Sequence, residues 1–109
     1  MTNYLFIESR DPFESLDVRF VAETATALKE RGHAVTVFLV QNGVLASRRA
    51  ARDSYLARLA EAGVTLLADD FSLSERGIQP AELHAGVQPA SIETLVDALV
   101  EGNTKAIWH

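Results

Sequence analysis

The chain has 109 residues, no cysteine and a formal net charge of −5, with 48% apolar and 23% charged residues. These values describe one ordinary globular domain and exclude disulfides, thiolate metal sites and a cysteine nucleophile. The acidic balance argues against nucleic acid as a partner, no stretch approaches the ~18 apolar residues of a membrane span, and Met1–Glu8 lacks the basic region of a signal peptide, so a cytoplasmic protein free of membrane is expected.

Tyr4-Leu5-Phe6-Ile7 is a short continuous apolar run, the pattern of a strand covered on both faces. A polar turn follows at Glu8-Ser9-Arg10-Asp11-Pro12. Asp11 is a candidate helix N-cap, with Pro12 at the first helical position and Glu14 three residues after the cap. Ser15 is a second candidate. From Asp17 the spacing is helical, with Val18, Val21, Ala22, Ala25 and Leu28 on one face and Gly32 just past the end. Ala34 to Val40 predicts a second, central strand, and Gln41-Asn42-Gly43 its closing turn. Two strands around a helix make a right-handed parallel unit.

Ser47 through Ala62 predicts a second long helix, with Tyr55, Leu56 and Leu59 inward and Gly63 ending it. Arg48, Arg49, Arg52 and Arg58 on that helix are either an anion or acidic-partner surface or a solvated face. A buried strand from Val64 then runs into Asp69 and Asp70. A short helix opens after them with Ser72 and Glu75 and closes on Gly77. One helical turn at Gln79–Leu83, a short edge strand at Gly86-Val87 and a helix starting at Pro89-Ala90-Ser91 follow. In that last helix Ile92, Leu95, Val96, Leu99 and Val100 form an amphipathic stripe. Ala106-Ile107-Trp108 predicts the final strand. The alternation β-α-β-α-β-α-β implies an α/β fold in one domain, residues 1–109: a three-layer α/β/α sandwich around a parallel sheet of four or five strands.

In such sheets ligands bind outside the carboxyl ends of the strands. The candidate pocket therefore comprises Glu8, Ser9, Arg10 and Asp11 after the first strand, Gln41 and Asn42 after the second, and Asp69, Asp70 and Ser72 after the third. Neighbouring carboxylates at such an end would suit a hard cation such as Mg²⁺, the basis of a metal-dependent enzyme or binder. The plainer reading makes Asp69 or Asp70 the cap of the next helix. A phosphate-accepting acidic pocket also needs a lysine at the end of a late strand, and Lys105 precedes its strand. His33, His84 and His109 are too scattered for a metal motif, and no nucleophile elbow, Gly-x-Gly-x-x-Gly or Walker sequence is present. No catalytic residue, metal or cofactor is assigned. A short edge strand and Trp108 suit burial by a neighbouring chain, though Trp108 fits its own core equally well.

The order of features resembles the DsrE/DsrF-like family of small sulfur-relay proteins. The carrying stretches are Leu28-Lys29-Glu30-Arg31-Gly32-His33-Ala34-Val35-Thr36-Val37-Phe38-Leu39, Gln41-Asn42-Gly43-Val44, Glu61-Ala62-Gly63-Val64-Thr65-Leu66, Glu75-Arg76-Gly77-Ile78 and Asn103-Thr104-Lys105-Ala106-Ile107-Trp108. The resemblance implies a flavodoxin-like parallel sheet, assembly into homo-oligomeric trimers or hexamers or a mixed ring with related subunits, and membership of a group that passes persulfide sulfur between proteins. Active members carry a cysteine at the end of the third strand, and counting back from Arg76-Gly77 that position falls on Asp69, with Asp70 or Ser72 as alternatives. None is a cysteine. Persulfide transfer needs a thiolate, so this chain is expected to be non-catalytic in that chemistry and to bind a partner or small-molecule ligand at the pocket instead.

Overall fold

The apolar runs form five strands in the computed structural model, which describes residues 2–15, 17–49 and 55–109. They are β1 (Asn3–Glu8), β2 (Ala34–Leu39), β3 (Thr65–Asp69), β4 (Val87–Ala90) and β5 (Thr104–Trp108). Four helices lie between them: α1 (Val18–Glu30), α2 (Tyr55–Glu61), α3 (Asp70–Glu75) and α4 (Ile92–Leu99). Short 3-10 helices span Gln41–Ser47 and Pro80–Glu82. All pairings are parallel and the strand order is β4-β3-β2-β1-β5. The result is the expected three-layer α/β/α fold with a five-stranded parallel sheet.

Handedness decides which face each helix covers. From β1 to β4 the chain steps across the sheet in one direction, and right-handed crossovers place α1, α2 and α3 on one face. There Val18, Val21 and Ala25 of α1, Leu56 and Leu59 of α2 and Leu73 of α3 pack on Phe6, Val37, Leu39 and Leu66. The last crossover runs back from β4 to β5, so α4 lies on the opposite face, where Leu95 and Ala98 pack on Leu5, Ile7, Phe38 and Val40. The chain thus leaves β3 toward one face and β4 toward the other. In the flavodoxin order 2-1-3-4-5 that reversal separates the first and third strands; here it lies between β3 and β4.

Several element boundaries differ from the sequence expectation. Asp11 caps only a single turn, with Phe13 N–H donating to its Oδ1 at 3.0 Å, and α1 starts at Val18. Asp17 does not cap α1 with its side chain, which pairs with Arg10 at 3.1 Å. Ser47 ends a 3-10 helix and Arg48 is extended, bridged to Leu83, so no helix begins at Ser47; residues 50–54 of that expected helix, Arg52 among them, lie outside the described residues. Pro89 and Ala90 belong to β4, an edge strand on which proline's missing N–H is tolerated. Helix α4 starts after Ser91, whose side chain accepts from Thr94 N–H. Lys105 lies inside β5, paired with Tyr4 at the opposite end of the sheet from Asp69. Trp108 is exposed rather than part of the core.

Candidate functional site

Glu8 closes β1, and strand alternation puts its side chain on the same face as Phe6. Glu8 is fully buried. The 3-10 helix lies across the strand end so closely that a Cβ on Gly43 would collide with the Glu8 carbonyl oxygen; only glycine allows that approach. Both Glu8 carboxylate oxygens lie 2.9 Å from His109 Nδ1. The backbone fixes that meeting. His109 N–H donates to the Ile7 carbonyl at 2.8 Å, while Ser9 N–H and Oγ–H donate to the His109 carbonyl at 2.8 and 3.0 Å. Burial pushes Glu8 above the usual carboxylate range, and the bond to His109 acts against that rise. Tyr55 of α2 borders the same buried space. Its hydroxyl has no hydrogen-bond partner among the described residues, and burial, followed by the Glu8 charge, raises its pKa. The Phe20 ring lies 6.0 Å from the His109 ring.

Asp69 closes β3 beside Ala90 of β4, at the reversal of the sheet. Its Oδ2 accepts from Ser72 N–H at 3.0 Å and from Ser72 Oγ–H at 2.7 Å. Asp69 is therefore the N-cap of α3, with Ser72 at the third helical position; the helix opens at Asp70 rather than at Ser72. Ser72 Oγ in turn accepts from Gln41 N–H at 2.9 Å, joining the ends of β2 and β3. Gln41 turns the chain in the left-handed region, φ +50°. Arg76 donates from Nε and Nη2 to Asn42 Oδ1 at 3.2 and 3.0 Å, and from Nη1 to the Ser72 carbonyl at 3.2 Å. Asp69 Oδ1 is buried and has no hydrogen-bond partner among the described residues.

The candidate residues thus fall into separate groups. Glu8 and Ser9 join His109, and Arg10 N–H also donates to Glu8 Oε2 at 3.5 Å. Asp69, Ser72, Gln41 and Asn42 join Arg76. The side chains of Arg10 and Asp11 are held within their own loop, and Asp70 faces solvent. Among the described residues no three His, Asp or Glu side chains are grouped so as to hold a metal ion. The basic residues do not converge either: Arg48 and Arg49 border a depression with Glu82, whereas Arg58 lines a groove with Arg19 and Glu23. His109, Tyr55 and Arg76 were absent from the expected pocket. One signal was legible: an acid at an inward position of a strand buried on both faces requires a polar partner, though it does not say which residue supplies it.

Comparison with known proteins agrees with this architecture. The family model of the DsrE/DsrF-like family matches residues 2–105. The ychN protein of E. coli has a similar structure, with a TM-score of 0.85 and 20% identity over 98% of this chain and 100% of that one. So does MTH1491 of Methanobacterium thermoautotrophicum, a protein of unknown function, with a TM-score of 0.85 and 21% identity over the full length of both chains. No functionally curated protein matches the sequence. Among the described residues no helix is long and apolar enough to cross a membrane. With its sequence matched over nearly its whole length and its fold shared with both structures, the chain belongs to the DsrE/DsrF-like family.

Proposed function

We propose that this chain is a non-catalytic, cytoplasmic member of a sulfur-relay-type system that binds a partner or small ligand at the carboxyl ends of its strands. The observation that carries this reading is Asp69. It closes β3 where the sulfur-carrying cysteine of active relatives is expected, and one of its buried oxygens has no donor among the described residues. A thiolate attacks a donor persulfide and takes its outer sulfur while the donor leaves as a thiolate; a carboxylate cannot hold sulfur in that way. It can accept a hydrogen bond from an N–H or O–H of a bound group. The test is intact mass after incubation with a small-molecule persulfide. Wild type stays at its sequence mass, and Asp69→Cys gains one sulfur atom. Sulfur on the wild-type chain overturns the reading.

The same reading includes assembly into a homo-oligomer, trimer or hexamer, or a mixed ring with related subunits. Its support is α4, which turns Leu95 inward yet exposes Ile92, Val96, Leu99 and Val100 on a second face. A monomer has no use for a second apolar face on one helix. Native mass spectrometry tests it: wild type runs as an oligomer, and Val96→Asp with Val100→Asp runs as a monomer. A monomeric wild type removes the oligomer from the reading.

A further inference from the structure

Half of this protein's aromatic side chains are more than half exposed, and all of those stand at one end of the sheet. They are Phe13, Phe20, Phe71 and Trp108; Tyr4, Phe6, Phe38 and Tyr55 are buried or half-buried. Phe13 lies in the turn after β1, and Phe20 beside His109 at the end of β5. Phe71 follows the end of β3 by two residues, and Trp108 closes β5. No exposed aromatic marks the opposite end, where the strands begin.

We propose that this aromatic-rimmed end of the sheet is the docking surface for a segment of a partner protein that carries apolar residues interleaved with basic ones. The proposal rests on the partner-binding reading above and names the chemistry of the partner. Size is the first argument. From β3 to β5 is three strand spacings, about 15 Å. Four rings, each over half exposed, offer on the order of 400 Å² of apolar surface. That total is about half of what each side of a standard protein–protein interface buries. It suits a short segment better than a second folded copy, for which α4 on the other layer offers the wider apolar face.

Charge is the second argument. Two arginines at this end are engaged, Arg10 with Asp17 at 3.1 Å, and Arg76 with Asn42 and, at 3.8 Å, Glu75; Arg19, beside Phe20, is exposed. Glu14, Asp70 and Glu93 are exposed there without an ion pair among the described residues. These three carboxylates outnumber Arg19, so the balance of charge at the rim is negative, and it selects a cationic segment over an acidic one. Aromatic rings supply cation–π faces for the same lysines or arginines.

Trp108 is the sole tryptophan and reports directly on this surface. The probes are a synthetic peptide of alternating leucine and lysine and its leucine–glutamate counterpart. The leucine–lysine peptide is expected to shift Trp108 emission to the blue with saturation, and the leucine–glutamate peptide to leave it unchanged. Phe13→Ser and Phe71→Ser each weaken binding at least tenfold, and Asp70→Asn with Glu14→Gln weakens it several-fold and flattens its salt dependence. These side chains are exposed, so the variants keep the fold, as circular dichroism will show. Equal response to both peptides, no response to either, or binding untouched by the phenylalanine variants overturns the proposal. So does a blue shift that grows with protein concentration alone, which assigns the surface to a second copy. Sulfur uptake is read by mass, so loss of peptide binding with an unchanged mass rejects this proposal and leaves the non-catalytic reading standing.

Discussion

Glu8 and Asp69 are both carboxylates at the carboxyl end of a parallel strand, both removed from water, and they solve that problem in opposite ways. Asp69 finds its partner three residues on, in the backbone and hydroxyl of Ser72. Glu8 has only a long local contact, from Arg10 N–H at 3.5 Å, and finds its close partner 101 positions away, in the imidazole of His109. The first solution is a local cap that needs only the start of a helix. The second exists only once β5 has paired with β1 to its last residue. Burial penalises Glu8 and lifts its pKa. The difference teaches that position at a strand end does not define a carboxylate's role; the reach of its partner does.

The largest expected effect tests that contrast directly. Glu8→Ala removes the carboxylate that pairs with a largely buried imidazole and opens a cavity beside Tyr55. Breaking a buried pair of this kind costs about 3–5 kcal/mol. Asp69→Ala removes a cap and costs about 0.5–2 kcal/mol. Urea unfolding of both variants at neutral pH measures the two side by side. Equal losses would break the comparison and make both residues local caps in energetic terms.

A second prediction sharpens it through pH. Because the folded chain raises the pKa of Glu8 above its ordinary 4.5, it holds that proton more tightly than the unfolded chain does. The associated stability is complete below the ordinary value and is lost as pH rises through the raised one. Thermal unfolding followed upward from acid should show wild type losing stability across this interval relative to Glu8→Gln. Glu8→Gln cannot ionise there and should show a flatter profile. Parallel profiles would mean that Glu8 titrates as an ordinary surface acid, against its burial.

Much of this architecture is legible from residues. Tyr4-Leu5-Phe6-Ile7 and Ala34–Leu39 announce buried strands, Gly32 and Gly63 mark helix ends, and the acids before Phe71 lie where the strand pattern puts them. The misreadings have local causes. Asp11, Pro12 and Glu14 satisfy the pattern of a capping box, yet one isolated turn satisfies it as well as a helix does. Pro89 reads as a helix start, but on edge strand β4 its missing N–H costs nothing. At the site, the strand ends are legible and the partnerships are not. Nothing in the neighbourhood of His109 refers to Glu8; their meeting is a property of sheet order, with β5 returning past three strands to pair with β1.

Ser72 gives the third prediction, intermediate in size. Its hydroxyl donates to Asp69 and accepts from Gln41 N–H, so Ser72→Ala leaves Gln41 N–H without that acceptor and Asp69 with only the backbone bond. A loss of about 1–3 kcal/mol follows. Asp69→Asn keeps the cap oxygen and should stay within about 0.5 kcal/mol of wild type, since Asn caps as well as Asp. Urea midpoints of the two variants rank them. A costly Asp69→Asn would show that the charge, and not the cap, matters at the end of β3.

The smallest effect belongs to the pair that shares the β1 loop with Glu8 but stays in water. Arg10 Nη1 meets Asp17 Oδ2 at 3.1 Å, close to the 2.9 Å between Glu8 and His109, with both side chains largely exposed. Distance alone would rank this pair near Glu8–His109. Solvent screening and the entropy of fixing two long side chains reduce it to about 0.2–1 kcal/mol. Arg10→Ala should therefore shift the urea midpoint barely, and raising the salt concentration should erase even that shift. A loss approaching that of Glu8→Ala would mean that the loop between β1 and α1, and not the pairing of β1 with β5, holds this end of the sheet together.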